Sequence, residues 1–148
     1  MNSDYTPAQS VPALKLYTIM MRAANTVTER LHHHLSDHKL TISQFGVMEA
    51  LYHLGAMCQK DIGLKILKTS GNITLVIDNL EKRKLVKRKP NPDDRRKIMV
   101  ELTQSGASLV KKIFPDHSTM AESIFNVLTS REQDDLAKLL KKLGIQDQ

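Results

Sequence analysis

Nine Lys or Arg fall within residues 82–97, KRKLVKRKPNPDDRRK. Asp93 and Asp94 sit side by side in that run, and two prolines and an asparagine occupy its middle. Such a density of like charge is the chemistry of a polyanion contact, because Lys and Arg neutralise phosphates and release their counterions. The stretch before it offers a second chemistry. Ser70, Asn72, Thr74, Leu75 and Asn79 carry hydroxyl, amide and methyl groups, the types that bond phosphate oxygens or base edges. The competing reading is a charged hairpin that simply faces solvent. The choice between them depends on which elements carry the two stretches.

The chain has 148 residues, a length that fits one domain. Net charge is +6, and nine of the 22 basic residues come from this one stretch, so the excess is local. Cys58 is the one cysteine, which argues against a disulfide-stapled secreted domain. No basic start leads into an apolar run, and no apolar run approaches membrane-spanning length. The expected location is the cytoplasm, with no membrane contact. Glycine-rich phosphate loops, G-x-S-x-G and paired carboxylates in a plausible pocket are all missing from the sequence, so neither an enzyme nor a cofactor is expected.

Pro12 suits a first helical turn. Leu16, Met20, Ala24, Val27, Leu31 and Leu35 then recur every three or four residues, which predicts a long amphipathic helix over 12–36. Thr41 with Gln44 is a capping-box pair, and Phe45, Met48, Leu51 and Leu54 form the stripe of a second helix ending at Gly55. A short helix over about 60–67 follows. After it, Ile73, Val76, Ile77 and Leu80 show the spacing of a half-buried helix over about 69–83. With those four inward, Ser70, Asn72, Thr74, Leu75, Asp78 and Asn79 point outward.

At Leu85 the period changes. Ile98, Val100 and Leu102 alternate with polar neighbours and read as a strand facing a partner over 85–89. The prolines of PNPDDRR forbid a continuing helix, which makes the basic run a hairpin tip with its approaches. Thr103 starts a helix whose apolar face includes Val110, Ile113, Ile124 and Leu128, and Pro115 should kink or divide it. Thr129 with Glu132 caps a last helix closed by Gly144. The predicted fold is mainly α: a winged helix-turn-helix with a two-stranded β wing, between outer helices with more apolar surface than one small core needs. A second copy is expected to cover that surface.

The residues SGNITLVIDNLEKRKLVKRKPNPDDRRKIMVELTQSG resemble the MarR family of transcriptional regulators. DNLE followed by LVKR, then PNPDDRR and VELTQSG, carry the resemblance, and TSREQDDLAKLLKKLG is similar to that family's closing helix. The resemblance covers residues 12–144. It implies one domain over 1–148, with dimerisation helices over 12–36 and 104–144 and a DNA-binding lobe over 41–103. It further implies a cytoplasmic homodimer on a palindromic double-stranded DNA operator, repressing transcription until a small aromatic effector binds. Thr69, Ser70, Gly71, Asn72, Thr74, Leu75, Asn79, Lys82, Arg88, Asp94, Arg95 and Arg96 become the expected DNA contacts. By resemblance, Asp94 fixes the wing by pairing with an arginine, and Arg95 or Arg96 enters the minor groove. Lys84 stands where the family usually has glycine, often at positive φ, so mild strain or a different local turn is expected there.

Other candidates carry simpler readings beside the functional ones. Tyr17, Met21, Phe45, Met48, Tyr52 and His117 are candidates for an effector pocket, though such residues at helical spacing usually form core. Cys58 near Lys60 is a candidate redox sensor or a small buried apolar residue. His32, His33, His34 and His38 invite a metal reading, but a third and fourth ligand are not evident, and no metal is expected. A basic winged-helix module binding RNA or protein is the remaining alternative. RNA readers stack bases on aromatic rings, and residues 56–113 contain no Phe, Tyr or Trp, which favours duplex DNA.

Overall fold

The computed structural model describes residues 11–66 and 70–144. The elements run α1 (Pro12–Ser36), α2 (Ile42–Leu54), β1 (Met57–Cys58), α3 (Gln59–Ile66), α4 (Ser70–Lys82), β2 (Val86–Pro90), β3 (Ile98–Leu102), α5 (Gln104–Phe125) and α6 (Ser130–Gly144). Local signals set most of these boundaries. Thr41 Oγ1 accepts from the Gln44 N–H and Gln44 Oε1 from the Thr41 N–H, a closed capping box. Thr129 and Glu132 make the same reciprocal pair at α6. At the end of α2 the chain must reverse toward β1, and Gly55 does so at φ 81°.

Among the described residues, two other than glycine take positive φ, Lys39 (55°) and Lys84 (57°). Each follows a helix, and each is followed by a leucine whose N–H reaches back: Leu40 to Leu35 O at 3.2 Å, Leu85 to Leu80 O at 3.0 Å. This is the six-to-one bond of a Schellman end. The strain expected at Lys84 is therefore present, and it turns the chain from α4 into the wing.

The core lies where α2, α3, α4 and the sheet meet the middle of α5. Phe45, Met48, Ile62, Ile73, Ile77, Leu80, Val100 and Ile113 are all buried there. The sheet has a third strand that the sequence reading lacked. β1 pairs antiparallel with β3 (Met57 with Val100, Cys58 with Met99), giving the order β1-β3-β2. Two residues are too few to show a period, which is why β1 was not legible. Ile98, expected inward with Val100, is 43% exposed. The hairpin extends past the core, so alternation persists after the apolar support has ended.

Pro115 does not divide α5, which runs unbroken across it. Pro115 is solvent-exposed, so the carbonyl that lacks its N–H donor is not sealed in an apolar core. Leu128, expected on that helix, lies beyond its end in the connection to α6.

The outer helices differ most from a self-sufficient core. Of the α1 stripe only Leu35 is fully buried. Leu16, Tyr17 and Ile19 are exposed, and so are Leu136, Leu139, Leu140 and Leu143 on α6. An apolar groove of about 510 Å³ runs between α1 and α6, lined by residues including Met20, Met21, Val27, Phe125, Leu136 and Leu140. Among the described residues no helix is long and apolar enough to cross a membrane.

Candidate nucleic-acid interface

α3 and α4 form the helix-turn-helix. Burying Ile73, Ile77 and Leu80 fixes the rotation of α4, which leaves Asn72, Thr74 and Leu75 exposed and Asn79 half-exposed. Leu75 keeps 60% of its surface open. Thr74 is also tied to α3, where Gln59 Nε2 donates to its Oγ1 at 2.6 Å. Gln59 was not a sequence candidate, because nothing in its position signals a bond fifteen residues away. Ser70 and Gly71 form the first turn of α4, where backbone N–H groups suit a phosphate. Thr69 lies outside the described residues. Lys82 closes α4 with its side chain exposed.

The wing tip is folded by two polar side chains. Asn91 Oδ1 accepts from the Asp93 N–H at 2.9 Å, and the Asn91 N–H donates to Lys97 O at 2.9 Å. Asp94 Oδ1 accepts from the Arg96 N–H at 3.1 Å and from Arg96 Nε at 3.2 Å. The expected pairing of Asp94 with an arginine is thus present, and Arg96 is the partner. Its side chain still stands 93% exposed. Arg95 is exposed and pairs with nothing among the described residues.

The basic run is not one undivided footprint. Arg83 donates to Lys39 O at 2.7 Å and anchors α4 to the α1–α2 turn. Lys87 and Lys89 both bind Glu101 on the neighbouring strand. Their ammonium groups, Lys89 foremost and then Lys87, hold the Glu101 carboxyl below its usual range. Arg88, expected on DNA, is half-buried, and its two terminal nitrogens donate to Asp78 and Glu81, each at 2.6 Å. Burial works against the charge of Arg88, but the bonds to Asp78 and Glu81 outweigh it and raise its pKa. The side chains left unpaired among the described residues are Lys82, Lys84, Arg95 and Lys97.

Among the described residues, the expected effector residues lie in different surroundings. Met48 is fully buried in the core, while Tyr17 and Tyr52 are exposed on different helices. Met21 lines the α1–α6 groove. Phe45 and His117 come together, with ring centroids 4.6 Å apart. His117 also stacks on His34 at 5.9 Å, and His34 meets His38 at 6.1 Å. His34 Nε2 and His117 Nδ1 are buried without a hydrogen-bond partner. Among the described residues, no group of three His, Cys, Asp or Glu side chains is placed to hold a metal ion. Cys58 is half-buried on β1, and its thiol donates to Asp61 Oδ2 at 3.0 Å.

Burial pushes the His117 pKa below its ordinary 6.5; Glu49 draws it up and His34 pushes it further down. Folded His117 therefore binds its proton more weakly than the unfolded chain does. The stability of the α1–α2–α5 junction is lost as pH falls through 6.5 toward the depressed folded value. Urea midpoints compared between about pH 7 and pH 5 should show a shallower acid-side decline for His117→Phe. Parallel declines in the two proteins would contradict this.

A buried helix-turn-helix, an outward polar face on its second helix and a cation-tipped antiparallel wing beside it define a winged-helix DNA-binding protein. The MarR family model matches residues 40–98. The helix-turn-helix transcriptional regulator MhqR of Bacillus subtilis is 37% identical over 133 residues, spanning 90% of this chain and 92% of that one. The transcriptional repressor NicR of Pseudomonas putida is 33% identical over 107 residues, spanning 72% and 68%. The solved structure of BpsR from Bordetella bronchiseptica, whose DNA binding is regulated by 6-hydroxynicotinic acid, superposes with a TM-score of 0.84 at 29% identity, covering 97% of this chain and 99% of that one. The chain belongs to the MarR family and is a helix-turn-helix transcriptional regulator that binds double-stranded DNA.

Proposed function

We propose that this protein is a homodimeric repressor that binds a palindromic operator and releases it when a small aromatic acid binds. The observation that carries the DNA reading is the division within the basic run. Four cations are paired inside the fold by acids or carbonyls of α4, β3 and the α1–α2 turn. Arg95 and Lys97 are left open at the tip, beside the polar face of α4. In this reading Ser70 and Gly71 at the start of α4, with Thr69 next to them in sequence, meet phosphate. Asn72, Thr74, Leu75 and Asn79 face base edges in the major groove. Lys82 supports the backbone contact. Asp94 shapes the wing, from which Arg95 and Arg96 reach the minor groove. Work on chromosomal DNA places the protein in the cytoplasm.

Selection from randomised duplexes tests this directly. An enriched palindrome with half-sites about one helical turn, roughly 34 Å, apart is expected. Equal retention of all duplexes, or a preference for matched RNA, would refute it.

The open apolar strip on α1 and α6 supports the dimer, since monomers rarely leave a face of this kind uncovered. Replacing Leu136 and Leu140 together with glutamate should convert the dimer to monomer, read by light scattering on a sizing column, and weaken operator binding. A double variant that remains dimeric would remove α6 from the interface. For the effector, NicR is named a repressor and the DNA binding of BpsR responds to a hydroxylated aromatic acid. The contact of Phe45 with His117, ring centroids 4.6 Å apart, supports placing the effector beside them.

A further inference from the structure

The geometry points to Arg88 as the residue that locks the wing to the recognition helix, positioning both for DNA without touching it. This rests on the DNA-binding reading above and concerns how that surface is held together.

Asp78 and Glu81 stand one helical turn apart on the same face of α4, so one planar guanidinium spans both. Arg88 Nη2 donates to Asp78 Oδ1 and Nη1 to Glu81 Oε2, each at 2.6 Å. Glu81 Oε1 also accepts from the Arg88 backbone N–H at 3.1 Å. β2 is an edge strand, because β3 lies between it and β1. Glu81 therefore satisfies an N–H that has no strand beside it, and ties the edge of the wing to α4 at the same point. Arg88 pairs with Val100 in mid-strand, so the lock lies at the base of the wing rather than at its tip. Its side chain is 23% exposed, whereas Arg96 at the tip is almost wholly open.

The lock has a consequence that charge alone does not predict. Asp78 and Glu81 are acids on a helix that faces a polyanion, so removing one should tighten DNA binding if electrostatics decided the matter. If the lock decides it, removal loosens binding to the operator, because helix and wing no longer enter neighbouring grooves in one fixed arrangement. Two full-length variants separate these cases on the duplex chosen by selection and on an unselected one. Glu81→Ala raises the net charge by one and removes both Glu81 bonds. Arg88→Lys leaves the charge unchanged, but a single ammonium cannot span two carboxylates in fork geometry.

Both variants are expected to bind the selected duplex about tenfold more weakly. Binding to the unselected duplex and the salt slope of Arg88→Lys should stay near wild type. Glu81→Gln, which keeps an acceptor for Arg88, should retain most of the affinity. Wild-type affinity in Arg88→Lys, or tighter selected binding by Glu81→Ala, overturns the lock. If either variant fails to fold in a thermal melt, the other still decides. A wild type that prefers no duplex would remove the DNA reading itself, which is a different result from a wild type that binds and variants that match it.

Discussion

Changing Arg95 and Arg96 together to alanine is expected to weaken operator binding by about a hundredfold at moderate salt. The slope of log affinity against log salt should become shallower by roughly two, one phosphate equivalent per wing and two wings per dimer. The two arginines should not contribute equally. Arg96 is bonded twice to Asp94, so part of its role is to hold the tip. Arg95 is exposed and has no partner among the described residues, so its charge can meet the narrow, strongly negative minor groove of A·T-rich DNA. Arg95→Ala alone should account for most of the affinity lost. Arg96→Ala should cost less, because its backbone N–H still bonds Asp94. An affinity unchanged for the double variant across a salt titration would take the wing off the DNA.

Gly106→Ala should lower the stability of the fold by about 3 kcal/mol. Gly106 sits in the first turn of α5, and its N–H donates to Thr103 Oγ1 at 3.1 Å. Thr103 in turn donates through its hydroxyl to Lys84 O at 2.7 Å and through its N–H to Leu85 O at 3.1 Å. The helix start is thereby pressed against the turn that leads into β2. A Cβ on Gly106 would lie 2.0 Å from Leu85 O and 2.9 Å from Leu102 Cδ2. The first of these is a backbone oxygen, which cannot rotate aside, so α5 or the strained turn at Lys84 must move. The urea midpoint should drop with little change in slope, and operator binding should fall with it. Ser105→Ala, at an exposed neighbour, should be near neutral. A Gly106→Ala midpoint equal to wild type would show that the turn yields at little cost.

Much of the fold was legible because its signals are local. The capping pairs Thr41–Gln44 and Thr129–Glu132, the glycine stop at Gly55 and the inward quartet of α4 each involve residues within one or two turns of each other. The positive φ at Lys84 followed from the resemblance, because a fixed turn is required there whatever residue occupies it. β1 was not legible, because its strand character comes entirely from pairing with Met99 and Val100, some forty residues away. The effector candidates illustrate the same limit. Helical spacing put Phe45 and Met48 on one face of α2, but it did not tell which residues of α1 and α5 would meet them; His117 of α5 lies beside Phe45 only because the helices pack.

By itself the sequence determined the order of the helices and the hairpin, the family, and the presence of a basic wing after a polar-faced helix. The helices and the basic wing follow from periodicity, capping and charge density, which act over short separations along the chain, whereas the family follows from the resemblance of DNLE, LVKR, PNPDDRR and VELTQSG. The tertiary structure alone decided which cations are available. Arg83, Arg88, Lys87 and Lys89 looked no different in sequence from Arg95 and Lys97. Each of the first four meets a carbonyl or carboxylate brought to it by packing of α4, β3 or the α1–α2 turn, while the last two extend past the end of the core. Charge is a property of the residue, but pairing depends on distance in space, and that distance is fixed only when the elements close on their shared core.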